Sequence, residues 1–244
     1  MTAAASFVPI VSVQRSQDRY FADHGWLRTN YSLSFADYYD PANLNWGALR
    51  VFNEDYIGAG QGFPPHPHRD MEILTYVFEG ELEHKDSMGN HGVVSPGGVQ
   101  FMSAGTGVRH SEFNHSSNLP LHLVQMWVVP GRSGVPPAYG QQQFAPADRR
   151  NRWLEVASGQ ARVPAPVALT QDATLRVARL ENGELEHEFG PQRYGFVFVG
   201  EGEASINEHT LKAGDALRTY GLRRLVLRGS AEIVFWDLPA IDSI

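Results

Sequence analysis

Four side chains form a set that could do chemistry. His66 and His68 lie two residues apart, and so do His110 and Glu112. On an extended chain, residues at i and i+2 point to the same face. Each pair can therefore aim two donors at one point, and a folded-back sheet can bring the pairs together. Three imidazoles and one carboxylate then surround one cation, a donor set suited to Fe, Mn, Co, Ni, Cu or Zn. A lone His-x-His is a weak signal, because histidines are common in surface strands. The second pair follows 42 positions after His68, across a segment that reads as β throughout.

The elements that must position these residues are short strands and turns. Gly58 to Pro65 reads as a Gly/Pro loop that delivers the chain to His66. Met71 to Phe78, Leu82 to Lys85, Val99 to Met102 and Pro120 to Pro130 read as strands. Between them, Glu79-Gly80-Glu81, Asp86 to Asn90 and Ser95 to Gly98 carry turn chemistry, and Ser103 to Gly107 is a loop reaching His110. Glu72 shares strand parity with His66 and His68, which makes it the alternative carboxylate ligand to Glu112. A role beside the site, or a plain surface carboxylate, is the other reading of Glu72.

Upstream, the first sixty or so residues are rich in aromatics, read as core, with a strand over Gly47 to Phe52 and a turn at Asn53-Glu54-Asp55. Downstream, Gly131 to Pro146 reads as a linker or crossover, and Asp148 to Val156 as weakly helical or irregular. The chain from Ala165 to Ile244 returns to β. Turn signals roughly every 8–12 residues predict an all-β sandwich or barrel with little helix.

The chain also repeats itself. Val77-Phe78-x-Gly80-Glu81-x-Glu83 recurs as Val197-Phe198-x-Gly200-Glu201-x-Glu203, 120 residues on, and Gly97 matches Gly214. This register maps His66 and His68 to Glu186 and Glu188, and His110 and Glu112 to Leu227 and Gly229. The second unit is therefore expected to hold no metal, with Glu186-His187-Glu188 a solvated strand.

Bulk properties narrow the function. At 244 residues the chain can form one large β domain or two smaller ones. With 42% hydrophobic and 19% charged residues it is a folding chain, not a disordered one. A net charge of −7 disfavours nucleic-acid binding through phosphate neutralisation. The absence of cysteine excludes disulfides, iron–sulfur clusters and thiol nucleophiles. Met1 to Val13 shows no signal peptide, and no apolar run reaches membrane-spanning length. A soluble, cytoplasmic protein is the expectation. His84, His91, His115 and His122 each read as surface or hydrogen-bonded histidines, with His115 or His122 the alternatives for orienting a ligating imidazole. No serine triad stands out.

Long motifs then resemble the pirin family of bicupins. They are Gly62-Phe63-Pro64-Pro65-His66-Pro67-His68, Glu72-Ile73-Leu74-Thr75-Tyr76-Val77, His84-Lys85-Asp86-Ser87-Met88-Gly89, the run from Val99 to Val108, and His110-Ser111-Glu112-Phe113-Asn114. Asn53-Glu54-Asp55 also fits, and the likeness spans about residues 10 to 130. The second half resembles, more loosely, the degenerate second cupin of bacterial members. The resemblance implies two jelly-roll barrels: a metal-binding unit over residues 1–135 and a barrel without metal ligands over 136–244. It implies a divalent ion, Fe(II) before Zn, Ni, Co, Mn or Cu, on His66, His68, His110 and Glu112. It also implies quercetin 2,3-dioxygenase activity, in which O2 opens a flavonol ring and carbon monoxide is released. Glu112 would then serve as ligand and as general base for the flavonol hydroxyl. The pattern departs from the general cupin one, whose carboxylate would fall near Glu72 and whose later histidine would fall near Phe101. Two other functions stay open on the same site: a metal- or redox-sensing module that regulates a partner protein, and a cupin isomerase.

Overall fold

The computed structural model describes residues 8–241. The expectation of no leader in the first residues falls largely outside the described ones. In chain order the first half carries β1 (Ile10–Gln14), β2 (Tyr20–Asp23), β3 (Leu27–Tyr31), β4 (Leu49–Ile57), β5 (Gly62–His68) and β6 (Glu72–Glu79). Next come β7 (Leu82–Asp86), β8 (His91–Val94), β9 (Val99–Ser103), β10 (Val108–Asn114), β11 (Leu121–Val128) and β12 (Ala138–Gln142). The second half carries β13 (Leu154–Ser158), β14 (Val167–Ala168), β15 (Thr174–Glu188), β16 (Tyr194–Ile206), β17 (His209–Lys212), β18 (Ala216–Tyr220) and β19 (Arg224–Leu238). Among the described residues, helix is confined to 3-10 turns at Ser16–Asp18 and Pro146–Asp148. No helix among them is long and apolar enough to cross a membrane.

The architecture is the all-β bicupin. A seven-stranded sheet, β12-β9-β6-β11-β4-β3-β2, and a four-stranded sheet, β5-β10-β7-β8, build the first barrel. An eight-stranded sheet, β1-β18-β16-β19-β15-β13-β14 with β17 beside β16, builds the second. Its long strands change register at Leu180/Gly183 and Val199/Glu201, and such irregularities bend a sheet enough to curl it. β12 joins the first sheet, Tyr139 opposite Met102, although its Gly- and Gln-rich sequence reads as linker. β1 joins the second sheet, Val11 opposite Thr219. As edge strands, both need side-chain patterning on one flank only, which leaves little sequence signal.

Strand alternation gives the large sheet of the first barrel two different buried faces. Phe52, Tyr76, Phe78, Val124 and Met126 face the second half, where they meet Phe196, Phe198, Val234 and Trp236 in one apolar cluster. The Phe52 ring centroid lies 4.6 Å from that of Phe196 and 5.0 Å from that of Phe198. Each such side chain, fully buried, stabilises the fold by roughly 1.5–3 kcal/mol. On the other face, Asn53, Asp55 and Gln125 look into a cavity inside the first barrel. The corresponding interior of the second barrel holds Leu185, Val197, Ile206, Leu225, Leu227 and Phe235. His187, expected in a solvated strand, is instead largely buried against Phe235 and lies 3.2 Å from Asp237.

Several local expectations are corrected. Asn53-Glu54-Asp55 is not a turn but the middle of β4. Its polar side chains mimic turn chemistry, yet Glu54 is buried against Arg19 and His122. The Gly58 to Pro65 loop becomes strand at Gly62, because β5 is an edge strand and tolerates Pro64, Pro65 and Pro67. The segment Asp148 to Val156 turns to strand at Leu154. The repeat is real in geometry, with a later register on its strand. Gly97 N–H donates to Val77 and Gly214 N–H to Val199, both at 2.8 Å. Gly80 at φ 80° and Gly202 at φ 76° make the equivalent bends. Val199 and Gly202 thus stand where the sequence match placed Val197 and Gly200.

Candidate metal centre

β5 and β10 run antiparallel, with His66 opposite His110 and His68 opposite Val108. The register shifts between His110 and Glu112, so that Glu112 faces Phe63. A bulge of this kind re-aims a side chain. The three imidazoles close on one another: ring centroids are 4.8 Å apart for His66 and His68, 4.5 Å for His66 and His110, and 4.9 Å for His68 and His110. One donor atom from each lies within 4.8 Å of the others. Glu112 Oε2 is 3.9 Å from His110 Nε2. The three histidines are therefore neighbours, and Glu112 joins them through His110, in a second group with His84, while lining the same cavity as His66 and His68.

The nitrogens are prepared for a cation. His66 Nδ1 lies 2.8 Å from the Pro64 carbonyl, which can only accept, so this nitrogen carries the proton and Nε2 keeps its lone pair. His110 Nδ1 lies 3.3 Å from His84 Nδ1. His110 Nε2 is buried and has no partner. A buried polar atom without a partner costs about 1–3 kcal/mol, and a metal ion is one way to satisfy it. Burial pushes the His68 imidazole down to about 4, with His110 and His66 acting in the same direction. Burial lowers His110 as well, against the opposing pull of Glu112. Burial pushes the Glu112 carboxyl up, but His110, His84 and the Gln125 hydrogen bond outweigh it and leave it below its ordinary value. Neutral imidazoles beside a carboxylate are the protonation states that ligate. These side chains could hold a single metal ion.

Residues to which sequence reasoning gave no role at the site hold this group in place, among them His84, read there only as a surface or hydrogen-bonded histidine. Gln100 Nε2 donates to Glu112 Oε1 at 2.6 Å, and Gln125 Nε2 donates to Glu112 Oε2 at 2.8 Å. Trp127 Nε1 donates to Gln125 Oε1 at 3.1 Å, and its ring meets His68 edge-on at 4.8 Å. His84 is fully buried in β7, where Tyr139 stacks on it at 4.2 Å and Asp86 lies 3.2 Å from its Nε2. One signal was available for His84: the i, i+2 pair His84-x-Asp86 shares strand parity with the apolar Leu82. Nothing local marks Gln100 or Gln125.

Glu72, the alternative ligand, is not in the cluster. Its carboxylate accepts the backbone N–H groups of Thr170 at 2.7 Å and Gln171 at 3.3 Å, in the second half of the chain. Parity from His68 is broken between the strands, where Asp70 takes φ 45°. His122 is buried on Glu54 at 3.0 Å and stacked on Tyr56. His91 and His115 are exposed and share Glu83. None of these three contacts the imidazole cluster.

A cavity of about 150 Å³ opens on the group. His66, His68 and Glu112 form one wall, and Tyr31, Phe35, Phe63 and Trp127 supply aromatic surface. The volume equals on the order of five waters, room for one ring of a flat ligand. Asp55 also faces this space. Burial pushes its carboxyl up to about 7, with Glu112 and Glu54 adding to the effect and Thr29 opposing it.

Comparison with known proteins places this site in a family. Residues 13–128 match the Pirin family, and residues 163–238 match a family described as the quercetinase C-terminal cupin domain. The quercetin 2,3-dioxygenase of Escherichia coli strain K12 is 40% identical over 235 residues, covering 95% of this chain and 100% of that protein. A pirin-like protein of Caulobacter vibrioides is 42% identical over 219 residues, covering 88% of this chain and 94% of the relative. Among solved structures, YhhW from Escherichia coli superposes with a TM-score of 0.89 at 39% identity, over 96% of this chain and 100% of that one. The same bacterial pirin is also known in complex with nickel(II), with a TM-score of 0.88 over 95% of this chain and 100% of that one. With both halves matched and relatives this similar along nearly their whole length, the chain belongs to the pirin family.

Proposed function

We propose that this protein is a metal-dependent oxidoreductase that opens a flavonol such as quercetin with O2 and releases carbon monoxide. The reading is carried by the meeting of His66, His68 and His110, with the His110 Nε2 buried and partnerless, beside an aromatic cavity that His66, His68 and Glu112 line. In it, His66, His68, His110 and Glu112 hold one divalent ion, with Fe(II) first and Ni, Co, Mn, Cu or Zn as alternatives. Four protein donors leave open positions, and a bound ion would supply Lewis-acid polarisation of the substrate's enol oxygen. The names of the E. coli relatives support the same substrate class.

The remaining work falls to the chain's own groups. Phe35 and Trp127 meet edge to face at 5.3 Å and offer a flat ligand an apolar wall. Gln100 and Gln125 each use one amide proton on a Glu112 oxygen, so that carboxylate keeps lone pairs for the flavonol hydroxyl proton. Asp55, in its neutral form, donates a hydrogen bond to a ligand oxygen across the cavity. The aromatic lining keeps water away from the ring while it reacts.

The decisive experiment is incubation with quercetin in air-saturated buffer, following its visible band and carbon monoxide in the headspace. A chelator should stop the reaction and Fe(II) should restore it. Quercetin left intact by the metal-loaded protein would sink the proposal. Glu112→Gln should lower kcat by roughly 10²–10⁴-fold, the usual worth of a general base.

A further inference from the structure

His110 is the innermost of the three imidazoles, and an imidazole can ligate only through a nitrogen that carries no proton. His66 has its tautomer set by its own backbone neighbour, Pro64. His110 has no carbonyl in that position. Its Nδ1 meets a second imidazole, His84, at 3.3 Å. Two neutral imidazoles can exchange donor and acceptor roles, so this contact alone does not decide which His110 nitrogen is free.

Asp86 decides it. Its Oδ2 lies 3.2 Å from His84 Nε2, and a carboxylate only accepts. His84 Nε2 must therefore be the protonated nitrogen. In neutral His84 that leaves Nδ1 as an acceptor, so His110 Nδ1 must donate. His110 Nε2 is then the bare nitrogen, and it is the one that is buried and partnerless beside His66 and His68. Asp86 is itself held, by the backbone N–H groups of Met88 and Asn90 at 2.9 and 3.0 Å and by Asn90 Nδ2 at 2.8 Å. Tyr139, on β12, lies flat against the His84 ring at 4.2 Å and 15°. With both nitrogens engaged, His84 has none left to ligate, although it sits close to His110 and Glu112.

We propose that the Asp86–His84 pair is a positioning device that fixes the His110 tautomer and aims its unprotonated Nε2 at the bound metal. This rests on the reading that His66, His68, His110 and Glu112 hold a divalent ion. The direction of each hydrogen bond follows from the one before it, starting at a group that cannot donate.

The test is Ni(II) affinity by competition with a chromophoric chelator, beside the melting temperature of the metal-free protein. His84→Leu removes the acceptor and should weaken Ni(II) binding about 10–100-fold, the usual cost of losing a partner behind a ligating imidazole. His84→Asn puts an amide oxygen near the lost Nδ1 and should recover affinity to within roughly threefold of the unsubstituted protein. Asp86→Ala should weaken binding in the same direction as His84→Leu. A packing role alone would leave His84→Asn as weak as His84→Leu, and that result overturns the proposal. So does unchanged affinity in His84→Leu. Should His84→Leu fail to fold, His84→Asn decides by itself, and loss of its binding overturns the idea. Failure of the unsubstituted protein to bind Ni(II) would sink the metal reading and this inference with it.

Discussion

Each Glu112 oxygen accepts from a side-chain amide, Oε1 from Gln100 and Oε2 from Gln125, and this sets what the carboxylate can do. Gln125 is the more exposed to test, since it bridges Glu112 and Trp127. Gln125→Leu strands one carboxylate oxygen and one indole N–H, and should cost about 1–3 kcal/mol of stability in a urea titration. No loss would mean that water replaces the amide. Asp55 gives a second prediction at this scale, for the metal-free protein. Its folded value of about 7 stands above the ordinary 3.8. Below the ordinary value both states are protonated and Asp55 has no effect. As pH rises toward 7 the unfolded chain ionises first, so stability falls, and above 7 the loss is complete. Asp55→Asn should therefore raise the melting temperature at about pH 8 and change it little at about pH 4. Equal shifts at both pH values would contradict the assignment.

Among elements, β5 matters most, because it carries two of the four donors on an unsupported edge. Gly62 makes the close approach that holds it to β10. A Cβ there would fall 2.2 Å from the Glu112 carbonyl oxygen and 2.5 Å from Phe113 Cα. Both obstacles are backbone, so the strands must part, and His66 and His68 would then leave His110. Gly62→Ala should lower Ni(II) affinity by more than about tenfold, by misplacing donors. Gly140 on β12 has nothing within 4 Å of its Cβ position, and Gly140→Ala should bind as the unsubstituted protein does. Equal affinity in both variants would show that β5 is held by something other than this contact.

At the scale of the molecule, the largest apolar cluster lies between the halves and not inside either one. Trp236 is fully buried there, its indole N–H on the Met126 sulfur at 3.0 Å. Glu72 adds two backbone hydrogen bonds across the same boundary. Neither barrel keeps its cover without the other, so unfolding should be a single transition. Trp236→Ala should lower stability by about 3–5 kcal/mol without splitting that transition. A biphasic denaturation curve would show that the halves fold independently.

Some of this was open to reading in the chain itself. Side chains alternate with period two along any strand, so His66 with His68 and His110 with Glu112 had to emerge as pairs on one face. The turn chemistry between strands made the all-β class legible for the same local reason. Other features depended on contacts between distant segments. A single residue, Asp70 at φ 45°, turns Glu72 away from the histidines, and no parity count crosses such a break. His84 became the partner of His110 only because β7 pairs with β10 on the flank away from β5. Asn53 and Asp55 looked like a turn until the second barrel covered the opposite face of β4. Parity along a strand is built into the covalent backbone. The side chain that ends up opposite each donor is decided by sheet register and by the packing of one half on the other.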